Sequence, residues 1–219
     1  MRQDPGRPLA RTGSVDRRGD DGVTLVELVV GMALAGLLLI TVAGVYTSGL
    51  RTASTVMAKT STTADAAFAT DVISRRLRVA VTPNATDAAL VVAQADKLSF
   101  YASVATSPSA TVDPVPTLVA YAYDASSGCL TETLTPGSGA AAPYTWTTGA
   151  RTTCLVRGSV SGGGSSIFTY YAGATGSTTT ATASAVRSVG VSLAVTQTSG
   201  AGTATTRDST RVVLENLGL

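Results

Sequence analysis

Gly22-Val23-Thr24-Leu25-Val26-Glu27, continued without a break by Leu28-Val29-Val30-Gly31-Met32-Ala33-Leu34-Ala35-Gly36-Leu37-Leu38-Leu39-Ile40-Thr41-Val42-Ala43-Gly44-Val45, decides the fold. The apolar run has roughly the 20 residues that a bilayer core requires. Charge stops just ahead of it, at Arg17-Arg18-Gly19-Asp20-Asp21, and a single acid, Glu27, stands inside it near the start. An ionisable side chain in a membrane span costs roughly 2.5–3.5 kcal/mol on insertion scales, so Glu27 asks for a functional partner. An amino group is the natural one. Cleavage after Gly22 gives Val23 a free α-amine one helical turn from Glu27. A carboxylate is also favoured near a helix N-terminus by the helix dipole.

A glycine, a hydrophobic residue, then Thr-Leu-Val-Glu and an apolar helix resembles the cleavage and methylation segment of type IV prepilins and pseudopilins. The resemblance implies that a prepilin peptidase cuts between Gly22 and Val23 on the cytoplasmic side and methylates the new amine of Val23. It implies that Glu27 then neutralises the N-terminal amine of a neighbouring subunit in a filament. The competing reading is an ordinary signal anchor that contains a Glu, and membrane insertion alone gives such an anchor no reason for it.

The 219 residues suit one domain or two small ones. Residues 1–22 are rich in Arg, Gly, Pro and Asp and have no apolar stretch of their own, so they read as a leader. Their five Arg place that end in the cytoplasm by the positive-inside tendency. Removal of the leader leaves 11 basic and 10 acidic side chains, a balance that gives no global electrostatic case for a polyanionic partner. Everything past about residue 46 then lies outside the membrane. Cys129 and Cys154 are the only two cysteines, an even number in a chain expected to be exported, and read as one disulfide; two buried free thiols are the alternative.

Between Thr47 and Val81 there is no proline and one glycine, Gly49, so the helix is expected to run on past the span. Val56, Ala64, Ala67, Phe68, Val72, Ile73, Leu77 and Ala80 recur at spacings that suit one helix face. Pro83 disfavours helix at the preceding residue, which puts the end near residue 81. Gly31, Gly36 and Gly44 are small residues of the kind that let helices approach closely in a membrane. The segments are therefore a leader at 1–22, a hydrophobic helix at 23–46, its exported half at 47–82 and a β-rich head at 83–219.

After Pro83, short β-branched and aromatic runs alternate with turn residues. The expected strands are Ala89–Ala93, Lys97–Val104, Thr117–Tyr123, Cys129–Leu134, Cys154–Val160, Ile167–Ala172, Val186–Gln197 and Thr210–Leu217. Asp124-Ala-Ser-Ser-Gly128 reads as a hairpin turn, and the low-complexity stretch from Gly173 to Ala185 as a mobile surface loop. Asp71-Val-Ile-Ser-Arg-Arg-Leu-Arg-Val-Ala80, Lys97-Leu-Ser-Phe100, Leu118-Val-Ala-Tyr-Ala-Tyr123 before Cys129-Leu130, Ile167-Phe-Thr-Tyr-Tyr171, Val186-Arg-Ser-Val-Gly-Val-Ser-Leu193 and Val212-Val-Leu-Glu-Asn-Leu217 are similar to segments of J-type minor pseudopilins and PilW-like minor pilins. That family often ends with Arg-Asn where this chain has Glu215-Asn216.

With no histidine in the chain, neither a Ser-His-Asp nor a Cys-His arrangement can be built. The exported acids are scattered, Gly162-Gly163-Gly164 lacks the Lys-Ser/Thr of a phosphate loop, and no calcium loop is present. No catalytic, metal or cofactor residues are nominated, and the head reads as non-enzymatic. Arg151, Arg157, Arg187, Arg207 and Arg211, with Tyr144 and Trp146, are one possible DNA groove. We favour solvated arginines and core aromatics. Tyr121 and Tyr123 share a strand face, where packing against the long helix is favoured over a surface-binding patch.

The sequence therefore points to an α+β, pilin-like fold: a long N-terminal helix packed on an antiparallel sheet. The resemblance implies a minor pilin or pseudopilin, held in the cytoplasmic membrane before assembly and at the cell surface in a filament afterwards. Its expected partners are prepilin peptidase and other major and minor pilins. A solitary membrane-tethered adhesin or DNA receptor is the alternative.

Overall fold

The computed structural model describes residues 23–84, 87–104, 115–139, 141–161, 166–199 and 202–216. Helix α1 spans Leu25–Arg78. Thr24 caps its start: its Oγ1 accepts from the N–H of Glu27 at 3.3 Å and its carbonyl from Leu28 at 3.1 Å. Thr at the cap with Glu three residues on is the residue order of a capping box. The chain divides into two compact units after Ser48. In the first, every described residue is exposed except Gly36, which is half-buried. This apolar helix is long enough to cross a membrane, with a mean hydropathy of 2.5 over its best window.

In the second unit, α1 buries one face against β-structure from Thr62 to Leu77. The helix ends at Arg78, short of the expected 81, because the next residues join a sheet: Ala80 bridges Ala102, and Val81 N–H donates to Tyr101 O at 2.9 Å. Asn216 adds a side-chain donor to the Arg78 carbonyl, at 3.4 Å.

The expected single sheet is two. The first is an antiparallel meander of five strands in sequence order: β1 (Leu90–Ala93), β2 (Lys97–Ala102), β3 (Thr117–Asp124), β4 (Cys129–Thr135) and β5 (Arg151–Arg157). Short turns join β1 to β2 and β3 to β4, while longer connections lead from β2 to β3 and from β4 to β5. The β3–β4 turn is as expected: Ser126 and Ser127 donate to the Asp124 carboxylate, which holds its pKa down at about 2, and Gly128 takes φ 60°. The second sheet is built on β8 (Ser188–Ser199). It pairs with β6 (Ser159–Ser161) and β7 (Phe168–Tyr171), and along its whole length with β9 (Gly202–Val213).

Two expected strands are corrected. The run placed at Cys154–Val160 begins at Arg151 and breaks at Gly158, whose φ of 129° lets the chain leave one sheet for the other as β6. The last strand, expected from Thr210, starts at Gly202 and forms a long hairpin with β8. The stretch from Gly173 to Ala185 is anchored: Arg211 Nη2 and Ser188 Oγ donate to Gly173 O at 2.9 and 2.7 Å.

The core lies between α1 and the inner sheet faces. Ile73 and Leu77 of α1 meet Phe100, Val119 and Leu130 of the first sheet and Val189, Leu193 and Val195 of the second, all fully buried. The buried stripe of α1 agrees with apolar spacing at Ile73 and Leu77, and Ala80 just past the helix is buried too, but the earlier turns differ. Thr62, Ala66, Ala69, Thr70, Ile73, Ser74 and Leu77 face inward, while Val56, Ala64, Ala67 and Phe68 are exposed. Thr62, Thr70 and Ser74 occupy inward positions, and Ser74 donates its hydroxyl to Thr70 O at 2.6 Å.

Candidate functional site

Three regions carry the residues singled out in the sequence. The first is the apolar start of α1. Leu28, Leu37 and Ile40 are 56%, 61% and 72% exposed, so a large apolar surface has no cover within the chain. A methyl group built on Gly31, Gly36 or Gly44 meets nothing within 4 Å, so intrachain packing does not explain these glycines. Thr41 Oγ1 turns back to Leu38 O at 2.8 Å, which satisfies its polar group inside the apolar run. Glu27 sits at the third helical position, its backbone held by Thr24. Val23 is exposed. Gly22 lies outside the described residues.

The second region is the junction between α1 and the first sheet. Glu132 lies on β4 between Leu130 and Leu134 on the inward face, opposite Tyr121 of β3. Its Oε1 accepts from the Tyr121 hydroxyl at 2.7 Å and from Arg76 Nε of α1 at 3.3 Å. Burial first, and the Glu132 charge second, push the Tyr121 phenol far above its ordinary pKa, so it is a permanent donor. Tyr121 thus packs in the core and reaches the helix through Glu132, while Tyr123 donates to Gly158 O at 3.3 Å. The parity of Glu132 with Leu130 and Leu134 was the signal in the sequence for an inward acid. The second sheet is tied to α1 by Thr62 and Thr206 hydroxyls 2.9 Å apart and by Gln197 Nε2 donating to Asp65 at 2.9 Å.

The third region holds the arginines of the possible groove, and the structure does not gather them. Arg211 lies 3.9 Å from the Tyr171 ring centroid and spends Nε on Ser188 Oγ at 2.8 Å and Nη2 on Gly173 O. Arg187 donates to Ser184 O at 3.0 Å. Arg151 and Arg157 stand at opposite ends of β5, and Arg207 lies in the other sheet. Trp146 donates to Pro116 O at 2.8 Å and stacks 4.3 Å from Tyr101, with Tyr144 at its edge. These aromatics cap the end of the first sheet.

Cys129 and Cys154 form a disulfide, with Cα atoms 5.8 Å apart. It clips the edge strand β5 to β4. A register shift between Leu130 and Thr131 leaves Leu155 as an extra residue on β5, which brings Cys154 opposite Thr131. Among the described residues there is no cluster of three or more His, Cys, Asp or Glu that could hold a metal ion.

Comparison with protein-family models, curated proteins and solved structures finds no match for this chain.

Proposed function

We propose that the protein is a minor pilin or pseudopilin: a non-enzymatic subunit processed by a prepilin peptidase and assembled near the tip of a type IV pilus or related secretion or competence filament. One observation carries the reading. An acid, Glu27, stands five residues after Gly22, at the start of an apolar helix whose described residues are exposed at every position but Gly36 and which continues into a folded head. The residues from Val23 to Val45 leave lipid and bury against the same segments of other subunits. Glu27 pairs with a neighbour's N-terminal amine and fixes axial register, a role in which a buried ion pair gives specificity more than stability. Gly31, Gly36 and Gly44 then serve close helix approach between subunits.

A second reading has its own support. Thr24 caps the backbone N–H of Glu27, and a carboxylate in the first helical turn is favoured by the helix dipole, which suits a plain anchor for a solitary adhesin or DNA receptor. Glu27→Leu and Glu27→Gln separate the two. Assembly predicts that both variants insert in the membrane and fail to enter sheared filaments. The anchor reading predicts that neither the parent nor either variant enters sheared filaments, and that both variants keep the parent's level and activity at the membrane.

A further inference from the structure

Between Arg157 and Arg187 the sequence has no charged residue, and from Gly173 to Ala185 it consists only of Gly, Ala, Ser and Thr. Many hydroxyls elsewhere are engaged. On α1, Thr47, Ser54, Thr60 and Thr63 turn back to helix carbonyls. On the sheets, Thr133 pairs with Thr152, Thr196 with Thr205 and Thr198 with Thr203. The loop differs. Thr175, Ser177, Thr178, Thr179, Thr182 and Ser184 are all exposed, and their hydroxyls have no hydrogen-bond partner among the described residues.

The main chain that carries them is held. Ala172 N–H donates to Thr178 O and Thr180 N–H to Tyr170 O, each at 3.0 Å, so the loop returns beside the end of β7. Arg211 donates to Gly173 O and Gly176 O, and Arg187 to Ser184 O. Thr179 and Thr180 line an open groove of about 300 Å³ together with Ala93, Ala95, Phe168 and Tyr170. The two alanines leave room beside Thr179 for a bulky substituent.

We propose that this loop is an O-glycosylation site, whose Thr and Ser hydroxyls accept sugars from a phosphate-activated sugar donor. In the transfer, the hydroxyl oxygen bonds to the anomeric carbon of the sugar. The bond from that carbon to the donor's phosphate breaks, its electron pair leaves with the phosphate, and the hydroxyl proton passes to a base of the transferase. Low-complexity composition rich in Ser and Thr marks O-glycosylated segments, in which proline commonly keeps the acceptors extended. Here the bonds to Tyr170, Arg187 and Arg211 take the place of proline. Phosphate is the other group that a hydroxyl commonly takes. Kinases select by charge pattern, which this stretch lacks, and the guanidinium groups of Arg187 and Arg211 are already engaged by carbonyls. A sugar adds bulk and solubility without charge, and it shields a surface loop of small polar residues of the kind that proteases nick. The proposal concerns the head alone and stands whether or not the chain enters a filament.

The test is peptide mapping of the full chain purified from its native cells. Cleavage after arginine and lysine gives one peptide, Gly158 to Arg187, that holds the whole loop. Electron-transfer fragmentation keeps sugars on their side chains and so locates them. This peptide should be heavier than its sequence by whole sugar residues, carried on one or more of the six exposed hydroxyls. The added mass should be lost in the variant Thr175→Ala/Ser177→Ala/Thr178→Ala/Thr179→Ala/Thr182→Ala/Ser184→Ala, with its circular dichroism unchanged. A peptide at its sequence mass, a peptide that carries phosphate instead, or sugar that persists in the variant would overturn the inference. Processing at Val23 is read on a different peptide, so the two outcomes are independent.

Discussion

Arg76 Nε and the Glu132 carboxylate meet at 3.3 Å, with the Tyr121 hydroxyl on the same oxygen at 2.7 Å. One oxygen atom thereby joins α1 to β3 and β4. Glu132 is buried and Arg76 about one-third exposed, with side-chain exposures of 8% and 31%. Removing the acid strands a buried hydroxyl donor and a partly desolvated cation. We expect Glu132→Ala to destabilise the head by about 2–3 kcal/mol. Glu132→Gln, which keeps an acceptor for Tyr121, should cost about half as much. Urea unfolding of the full chain in micelles measures both; equal stability of the Ala variant and the parent would remove the junction from the account.

The same cluster sets an alkaline limit. Tyr121 and Tyr170 both have their phenols raised above the ordinary 10.0, chiefly by burial. A raised folded pKa gives stability that is complete below the ordinary value and lost as pH climbs from there toward the folded one. Stability should be flat for these groups up to about pH 10 and then fall by about 1.4 kcal/mol per pH unit for each. Tyr121→Phe should flatten that slope while lowering stability at neutral pH. Unfolding free energies measured between pH 8 and 11 on parent and variant check the sign.

Thr70 points the other way. Its hydroxyl is buried on the inward face of α1 and has no hydrogen-bond partner among the described residues. Thr70→Val keeps the branched shape and removes the unsatisfied group, so it should stabilise the head by about 1 kcal/mol. A thermal melt reads this directly, as a rise of about 2–4 °C for a chain of this size.

The legible parts of the fold were those in which local chemistry and tertiary demand agree. The apolar run fixed α1 and Asp124 to Gly128 announced the β3–β4 turn, whereas α1 stops three residues before the end that Pro83 suggested, where the chain joins a sheet. Where the two disagree, the reading slipped. Apolar spacing on α1 selected Ile73 and Leu77 correctly, but also Val56, Ala64, Ala67 and Phe68, which are exposed, where the helix instead buries Thr62, Ala66, Thr70 and Ser74. Gly158 looks like any strand-end glycine in sequence. Its passage between sheets is a long-range event that leaves no local mark.

The sites divide in the same way. Cys129 and Cys154, as the only pair, were readable as a disulfide. The arginines were legible only as charges. Arg211 holds the stretch after Tyr171 in place, and nothing beside it in sequence announces Gly173 or Ser188 as its partners. A low-complexity composition therefore misled about order, since the anchoring group lies on a distant strand.

The most direct test of the proposed function is the N-terminal residue and intact mass of the protein taken from its native membrane. The account predicts a chain that begins at Val23 and carries one added methyl group. A chain that still begins at Met1 in cells where the protein is active would contradict it. Glu27 would then be left as an acid favoured by the helix dipole at the start of a simple anchor.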